Sequence, residues 1–292
     1  MTGAPGKSPQ ALRAGIVALR QAATDRYGDG LISVEFDDAG LRGTVALTSQ
    51  AAELQRMVAE LWPGARCQLL VLATRRSRVA LYPEAEPLDI WRRRPDDDAI
   101  PELTTQLLPG DPPAGLLAFR GEQFLVRAPG QAIGWVARTA RFRFGVAQAA
   151  DPPGVAVVPP AGWEPKVVRA SALALLGRPY VFGGTGGVGI DCSGLSWRAF
   201  LTAGVRLPRN SRAQRKVGER VRLADLGEAD LICAVHRGPK RTSHLALYLG
   251  EDEVIHACSE CHEVHRERLA DFQARYQVLT VRRVPGAVGP SR

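Results

Sequence analysis

Apolar positions in the first part of the chain recur at helical spacing. Leu12, Ile16 and Leu19 fall on one stripe, which predicts a helix over 9–27. A turn at Gly28-Asp29-Gly30 follows. The run Leu31-Ile32-Ser33-Val34-Glu35-Phe36 then reads as a strand, and Gly43-Thr44-Val45-Ala46-Leu47 as a second after the turn at Asp38-Ala39-Gly40. Thr48 or Ser49 is placed to cap a helix from Ala51 to Leu61, which Pro63-Gly64 stops. Gln68 to Leu72 makes a third strand, so the order is αββαβ.

Between 77 and 145 the helical stripe disappears. Short apolar runs alternate with Pro and Gly: Leu88-Asp89-Ile90-Trp91, then Leu103 to Asp111, then Gln123 to Arg127, then Gly134-Trp135-Val136. Closely spaced short strands with turn residues between them predict a small barrel, with Trp135 as a core residue. Pro152-Pro153 and Pro159-Pro160 follow. Proline lacks an amide donor and fixes φ, so 146–164 reads as a stiff extended linker.

Helical patterning returns after a glycine-rich loop. Leu195, Ala199, Phe200 and Leu201 predict a helix that starts at Cys192 and stops at Gly204, with Asp191 as an N-cap type. At a helix N-terminus, free amides and the positive dipole end lower a thiol pKa, and a thiolate is the attacking species. The adjacent amides also suit an oxyanion. Farther on, His244, Ala246 and Tyr248 alternate with Leu245, Leu247 and Leu249 along a strand. After a turn at Gly250-Glu251-Asp252, a second strand carries Val254 and His256 on one face. If even positions pair with even positions, His244 and His256 lie side by side, as a base and the residue that orients it.

Composition sets limits on these readings. At roughly 150 residues per domain, 292 residues give two domains or three small ones. With 45% hydrophobic and 23% charged residues, the chain has the makeup of a globular protein. No apolar run approaches the ~18 residues of a membrane span, and the start lacks a secretory apolar core, so the expected location is cytoplasmic unless a leader has been removed. The net charge of +8 is nearly all arginine, because lysine occurs only at Lys7, Lys166, Lys216 and Lys240. Clusters occur at Arg75-Arg76 and Arg92-Arg93-Arg94, with no interleaved aromatics and no recognisable nucleic-acid module, so no nucleic-acid partner is expected. Five cysteines, Cys67, Cys192, Cys233, Cys258 and Cys261, do not make a disulfide scaffold.

Three resemblances follow from these words. The αββαβ pattern resembles the BON family of small bacterial domains, alongside an unrelated small α+β domain as the other reading. The threonine-glutamine word at Thr105-Gln106, the turn Leu108-Pro109-Gly110-Asp111 and the closing Gly134-Trp135-Val136 resemble a bacterial SH3-like domain. The words Gly177 to Gly184, Asp191-Cys192-Ser193-Gly194, Leu207-Pro208-Arg209-Asn210-Ser211 with Gln214, Ser243-His244 to Gly250, and Val254-Ile255-His256-Ala257 together resemble the NlpC-type papain-like cell-wall peptidases.

The last resemblance implies a Cys192–His244–His256 catalytic triad. It also implies substrate binding by Asp191, which would meet a free amine, by Ser193 and Ser211, which would hold a D-glutamate carboxylate, and by Tyr180. The implied fold is α+β and multidomain: 1–76 small α+β, 77–145 SH3-like barrel, 146–164 linker, and 165–286 papain-like peptidase. The implied reaction is hydrolysis of the γ-D-glutamyl-diamino-acid bond of peptidoglycan stem peptides, on free L-alanyl fragments in cell-wall recycling. A related thiol amidase or acyltransferase, and a non-catalytic wall-binding protein, are the alternatives. The oligomeric state, and the barrel residues that cap the cleft, are left open. The sequence departs from the family at the stretched word Gly227-Glu228-Ala229-Asp230-Leu231, and His236 is a competing base.

One further word stands apart. Cys258-Ser259-Glu260-Cys261-His262 matches the C-x-x-C-H pattern of covalent haem, and with His265 it offers metal-ligand types. The expected reading is a surface loop with incidental thiols, with no metal and no cofactor.

Overall fold

The computed structural model describes residues 9–27, 31–37, 39–73, 78–93, 102–146, 157, 159–239 and 241–286. The turn at Gly28-Asp29-Gly30, residue Asp38, the pair Arg75-Arg76, Arg94 and Pro152-Pro153 lie outside the described residues.

The first elements are α1 (Pro9–Tyr27), β1 (Ile32–Asp37), β2 (Gly40–Leu47), α2 (Thr48–Leu61) and β3 (Arg66–Ala73). β1 and β2 are antiparallel, and β2 and β3 parallel, in one three-stranded sheet. Its apolar face and the stripes of the two helices share one core: Leu12 and Ile16 from α1, Val34 and Val45 from the sheet, Leu54 and Val58 from α2. Gln50 steadies the start of α2 by accepting the Leu47 amide at 2.9 Å.

Seven strands follow: β4 (Val79–Pro83), β5 (Leu88–Trp91), β6 (Leu103–Leu107), β7 (Ala114–Arg120), β8 (Gln123–Arg127), β9 (Ile133–Ala137) and β10 (Phe142–Val146). They form an antiparallel sheet in the order β10-β4-β7-β8-β9-β5-β6. The expected closed barrel is thus an open sheet among the described residues, with β10 and β6 at its ends. Closure needs pairing between the two end strands, and among the described residues β10 pairs with β4 and β6 with β5 but not with each other. Trp135 is buried, in a cluster with Ala46 and Leu47 of β2 and with Leu31 just before β1.

The remaining elements are α3 (Pro165–Leu173), α4 (Cys192–Thr202), α5 (Ser211–Gln214), β11 (Glu219–Val221), β12 (Leu231–His236), β13 (Ser243–Gly250), β14 (Glu253–Cys258), β15 (Glu263–Arg268), α6 (Leu269–Arg275) and β16 (Tyr276–Arg283). The strands make an antiparallel sheet, β11-β16-β12-β13-β14-β15. Both faces are covered, so its central strands are apolar on both sides. Leu245, Leu247 and Ile255 cluster with Leu195 and Phe200 of α4. Ala246, Tyr248 and Val254 cluster with Phe272 of α6 and with Tyr276.

The seven-stranded sheet docks on this last unit through a backbone contact. Gly130 (φ +78°) accepts the Arg209 amide at 2.9 Å, and a Cβ there would lie 2.7 Å from the Leu207 carbonyl and 2.8 Å from the Trp197 indole nitrogen. Only glycine fits both that φ and that approach. The contact fixes the backbone of Arg209, and Arg209 reaches the site described next.

Candidate active site

Cys192 opens α4. Asp191 caps the helix, its carboxylate accepting the Gly194 amide at 2.6 Å, while its carbonyl takes the Leu195 amide. The amides of Cys192 and Ser193 stay outside the helical ladder. Gly194 is required at this turn, because a Cβ would lie 2.2 Å from the Gly184 carbonyl oxygen of the preceding glycine-rich loop.

The thiol does not behave as the helix terminus alone suggests. Burial pushes the Cys192 pKa up to about 12, with the Asp191 charge as the second cause. The amides of Leu245 and Ser193 and the Arg209 guanidinium pull it down by less. The dipole effect expected from sequence is therefore outweighed by desolvation, and the resting thiol is neutral.

His244 sits at the start of β13, directly before Leu245. The β13–β14 register pairs Leu247 with Ile255 and Tyr248 with Val254, so even positions do share a face. Continued along the strands, it sets Ala246 opposite His256, making His244 the diagonal neighbour of His256. Their rings meet at 2.7 Å, His244 Nε2 to His256 Nδ1. Tyr276 stacks on the His244 ring at 4.5 Å, and Phe272 meets the His256 ring edge-on at 5.3 Å.

The chain of polar contacts extends beyond these two rings. His256 Nε2 lies 2.7 Å from Glu267 Oε1 on β15, and Arg275 Nη2 donates to the same oxygen at 2.5 Å. Although burial opposes it, the hydrogen bonds from His256 and Arg275 hold the Glu267 carboxyl down at about 2. An ionised carboxylate only accepts, so His256 carries its proton on Nε2 and presents a bare Nδ1. His244 then donates from Nε2, and its free basic nitrogen is Nδ1. Burial, followed by the neighbouring His256, lowers the His244 pKa well below the ordinary 6.5; burial also lowers that of His256. Both rings are neutral at pH 7.

The implied substrate residues divide into two groups. Tyr180 and Ser211 line a cleft of about 950 Å³ with Asp191, Ser193 and His244. The side chains of Asp191 and Ser193, however, are committed to internal bonds. Asp191 accepts from Gly183 N (2.8 Å), Ser193 Oγ (3.0 Å), Gly194 N (2.6 Å) and both terminal nitrogens of Arg209 (3.0 and 2.9 Å). A carboxylate offers about four lone-pair sites, so a substrate amine must displace one of these five donors. Arg209 Nη1 also donates to Ser193 Oγ at 2.9 Å. In this arrangement the pair braces the loop that carries Cys192, whereas the Ser211 hydroxyl, at the edge of the cleft, meets Ser243 Oγ at 3.1 Å.

His236, the competing base, borders the same cleft, but both its ring nitrogens are engaged. Nε2 lies 2.8 Å from Glu260, and Nδ1 accepts the Gly238 amide at 2.9 Å. The stretched word before β12 places Asp230 against Arg283 at 2.6 Å, away from the cysteine.

Sequence reasoning missed three contributions. Glu267 and Arg275 stand in a charged stretch with no motif around them, and only the β14–β15 pairing brings Glu267 to His256. Gln214, quoted above with the 207–211 word but given no role there, is fully buried, donating to the Ser193 and Pro208 carbonyls and accepting from Ser196 Oγ at 2.5 Å. The N-terminal helix also borders the cleft, through Gln21, Thr24 and Asp25, with Asp25 paired to Arg212 at 2.7 Å.

The NlpC/P60 family matches residues 177–283. Residues 177–283 form an NlpC/P60 domain. A probable endopeptidase of Mycobacterium tuberculosis is 36% identical over 107 residues, which is 36% of this chain and 27% of that protein. A gamma-D-glutamyl-L-lysine dipeptidyl-peptidase of Bacillus subtilis is 34% identical over 97 residues, 33% of this chain and 32% of the relative. The chain thus spans about a quarter to a third of the length of these curated relatives. Among solved structures, an NlpC/P60 family protein from Bacillus cereus aligns over 72% of this chain and 64% of its own, at 24% identity and a TM-score of 0.39. The NlpC/P60 domain contains Cys192, His244, His256 and Glu267, and among the described residues of the whole chain no helix is long and apolar enough to cross a membrane.

Proposed function

We propose that this protein is a cysteine peptidase that hydrolyses the γ-D-glutamyl-diamino-acid bond of peptidoglycan stem peptides. The observation that carries this reading is the relay His244–His256–Glu267–Arg275, which begins on β13 beside Leu245, whose amide meets the Cys192 thiol. It leaves His244 Nδ1 as a bare base and gives it a stabilised partner once protonated.

In this mechanism the neutral thiol loses its proton to His244 Nδ1 as Cys192 Sγ attacks the scissile carbonyl carbon. The carbonyl oxygen becomes an oxyanion that meets the free amides at the start of α4. The imidazolium then returns its proton to the departing amine as the C–N bond breaks. Water, activated by the same nitrogen, cleaves the thioester and restores the thiol.

The substrate side of the proposal draws on the cleft and on the Bacillus relative. Ser211 and Tyr180 offer hydroxyls to a D-glutamyl carboxylate. The seven-stranded sheet, read as an SH3-like domain, contributes Leu103 and Thr104 to one wall, together with Arg92 just after β5. This wall closes the cleft toward short free fragments, in keeping with a cytoplasmic recycling role. Because Asp191 is saturated, preference for a free L-alanyl amine rests on displacement of an internal donor.

The test is incubation with L-Ala-γ-D-Glu-diamino-acid peptide, its N-acetylated form and insoluble wall, with products read by mass spectrometry and Cys192→Ala as control. Release of the dipeptide L-Ala-D-Glu from the free peptide supports the proposal. Binding without cleavage overturns the peptidase reading. Equal kcat/KM for the free and acetylated peptides removes the recycling part alone.

A further inference from the structure

The C-x-x-C-H word is not consumed by the triad, and the fold gives it a different third partner. Cys258 ends β14, Cys261 lies in the following turn, and His265 lies on β15, directly opposite His256. His262 takes a left-handed φ of +61° and turns the chain back, so it is His265 that returns to the sulfurs. One ligating atom from each of Cys258, Cys261 and His265 lies within 4.8 Å of the others. The geometry points to a binding site for a borderline-soft divalent cation of the zinc class, held by Cys258 Sγ, Cys261 Sγ and a ring nitrogen of His265.

Four observations support it. The Cys261 amide donates to Cys258 Sγ at 3.1 Å, which folds the turn so that both cysteines face one point. Cys261 Sγ is 3.9 Å from His265 Nε2. His265 Nδ1 is buried with no hydrogen-bond partner, so the ring proton can sit there and leave Nε2 bare. Cys261 is exposed, which gives an ion a way in. Two thiolates and one imidazole suit a tetrahedral ion with one open position, and bond lengths near 2.3 Å to sulfur and 2.0–2.1 Å to nitrogen imply donors about 3.5–4 Å apart. Side-chain rotation closes the remaining gap. Covalent haem is a poor fit, because the Cys258 thiol is fully buried and cannot reach a porphyrin edge.

Loading would be felt at the neighbouring relay. Arg275 Nη1 lies 3.7 Å from Cys258 Sγ and 3.9 Å from Cys261 Sγ, while its Nη2 holds Glu267. A dication at the sulfurs repels that guanidinium and loosens Glu267 from His256. This coupling rests on the peptidase reading; the metal site does not.

The experiment titrates Co²⁺ into the full chain carrying Cys192→Ala, which removes the active-site thiol. One Co²⁺ per chain with a thiolate-to-metal charge-transfer band is expected, displaced by Zn²⁺. Cys261→Ser, at an exposed thiol, is expected to weaken affinity by at least about 100-fold, more than a residue behind the ligands carries. Absence of the band, or an unchanged band in Cys261→Ser, overturns the site. With Cys192 intact, Zn²⁺ is expected to inhibit peptide release, and Cys261→Ser to relieve that inhibition. A site that binds but does not inhibit removes only the coupling.

Discussion

His256 Nε2 lies 2.7 Å from Glu267 Oε1, and this contact decides which nitrogen of His244 is free. The carboxylate fixes the proton of His256, and His256 fixes that of His244. Glu267→Ala is therefore expected to lower kcat by about 10–100-fold with little change in KM, since Glu267 acts through His256. His256→Gln keeps a side-chain acceptor for His244 and should be milder than His256→Ala. Steady-state kinetics on the stem peptide checks both, and a Glu267→Ala enzyme with full kcat rules out the relay.

Cys192→Ala removes the nucleophile and is expected to cost at least ~10⁴-fold in kcat while circular dichroism stays unchanged. Cys67→Ser and Cys233→Ser, at thiols away from the cleft, should retain turnover. An active Cys192→Ala protein would exclude the thiol mechanism.

The histidines impose a pH signature. Both have folded pKa values below 6.5, so the unfolded chain binds more protons than the folded one as pH falls below that value. Stability is then fully present above about 6.5 and declines as pH drops toward the folded values. Urea denaturation at pH 7.5 and pH 5 should show a lower midpoint at pH 5. The acid limb of kcat/KM should likewise fall below 6.5, because His244 stays a neutral base there. Burial is the first cause of the His244 shift, followed by the neighbouring His256 and the Arg275 guanidinium.

The Asp191–Arg209 pair is a structural prediction. Both side chains are nearly inaccessible, at 8% and 1% exposure. Asp191→Asn strands the guanidinium in the interior and is expected to cost about 3–5 kcal/mol. Arg209→Met with Asp191→Asn should recover part of this loss, since no buried charge then remains. Thermal unfolding of the single and double variants measures it.

Local chemistry was legible wherever a short word fixes its own geometry. Asp191 before Cys192 reads as a cap in front of a helix, and the side chain does accept the Gly194 amide. The alternation around His244 and His256 gave the shared face, because strand periodicity is 2 and parity survives any even shift of register. That His244 sits diagonal to His256 was not legible, since register depends on the turn at Gly250 and on the bulge between Tyr248 and Gly250.

What the sequence determined by itself was the set of reactive groups and the elements that carry them: a thiol at a helix start, an imidazole at a strand start, and a second imidazole one strand on. Three things were decided only by tertiary structure. Desolvation under packed helices raised the Cys192 pKa against the helix dipole, because burial depends on residues far away in the chain. The β14–β15 pairing carried Glu267 to His256, and α6 brought Arg275 to Glu267. The same pairing placed His265, rather than the adjacent His262, beside Cys258 and Cys261. Each outcome depends on distances between strands, which residue order constrains only once the sheet has formed.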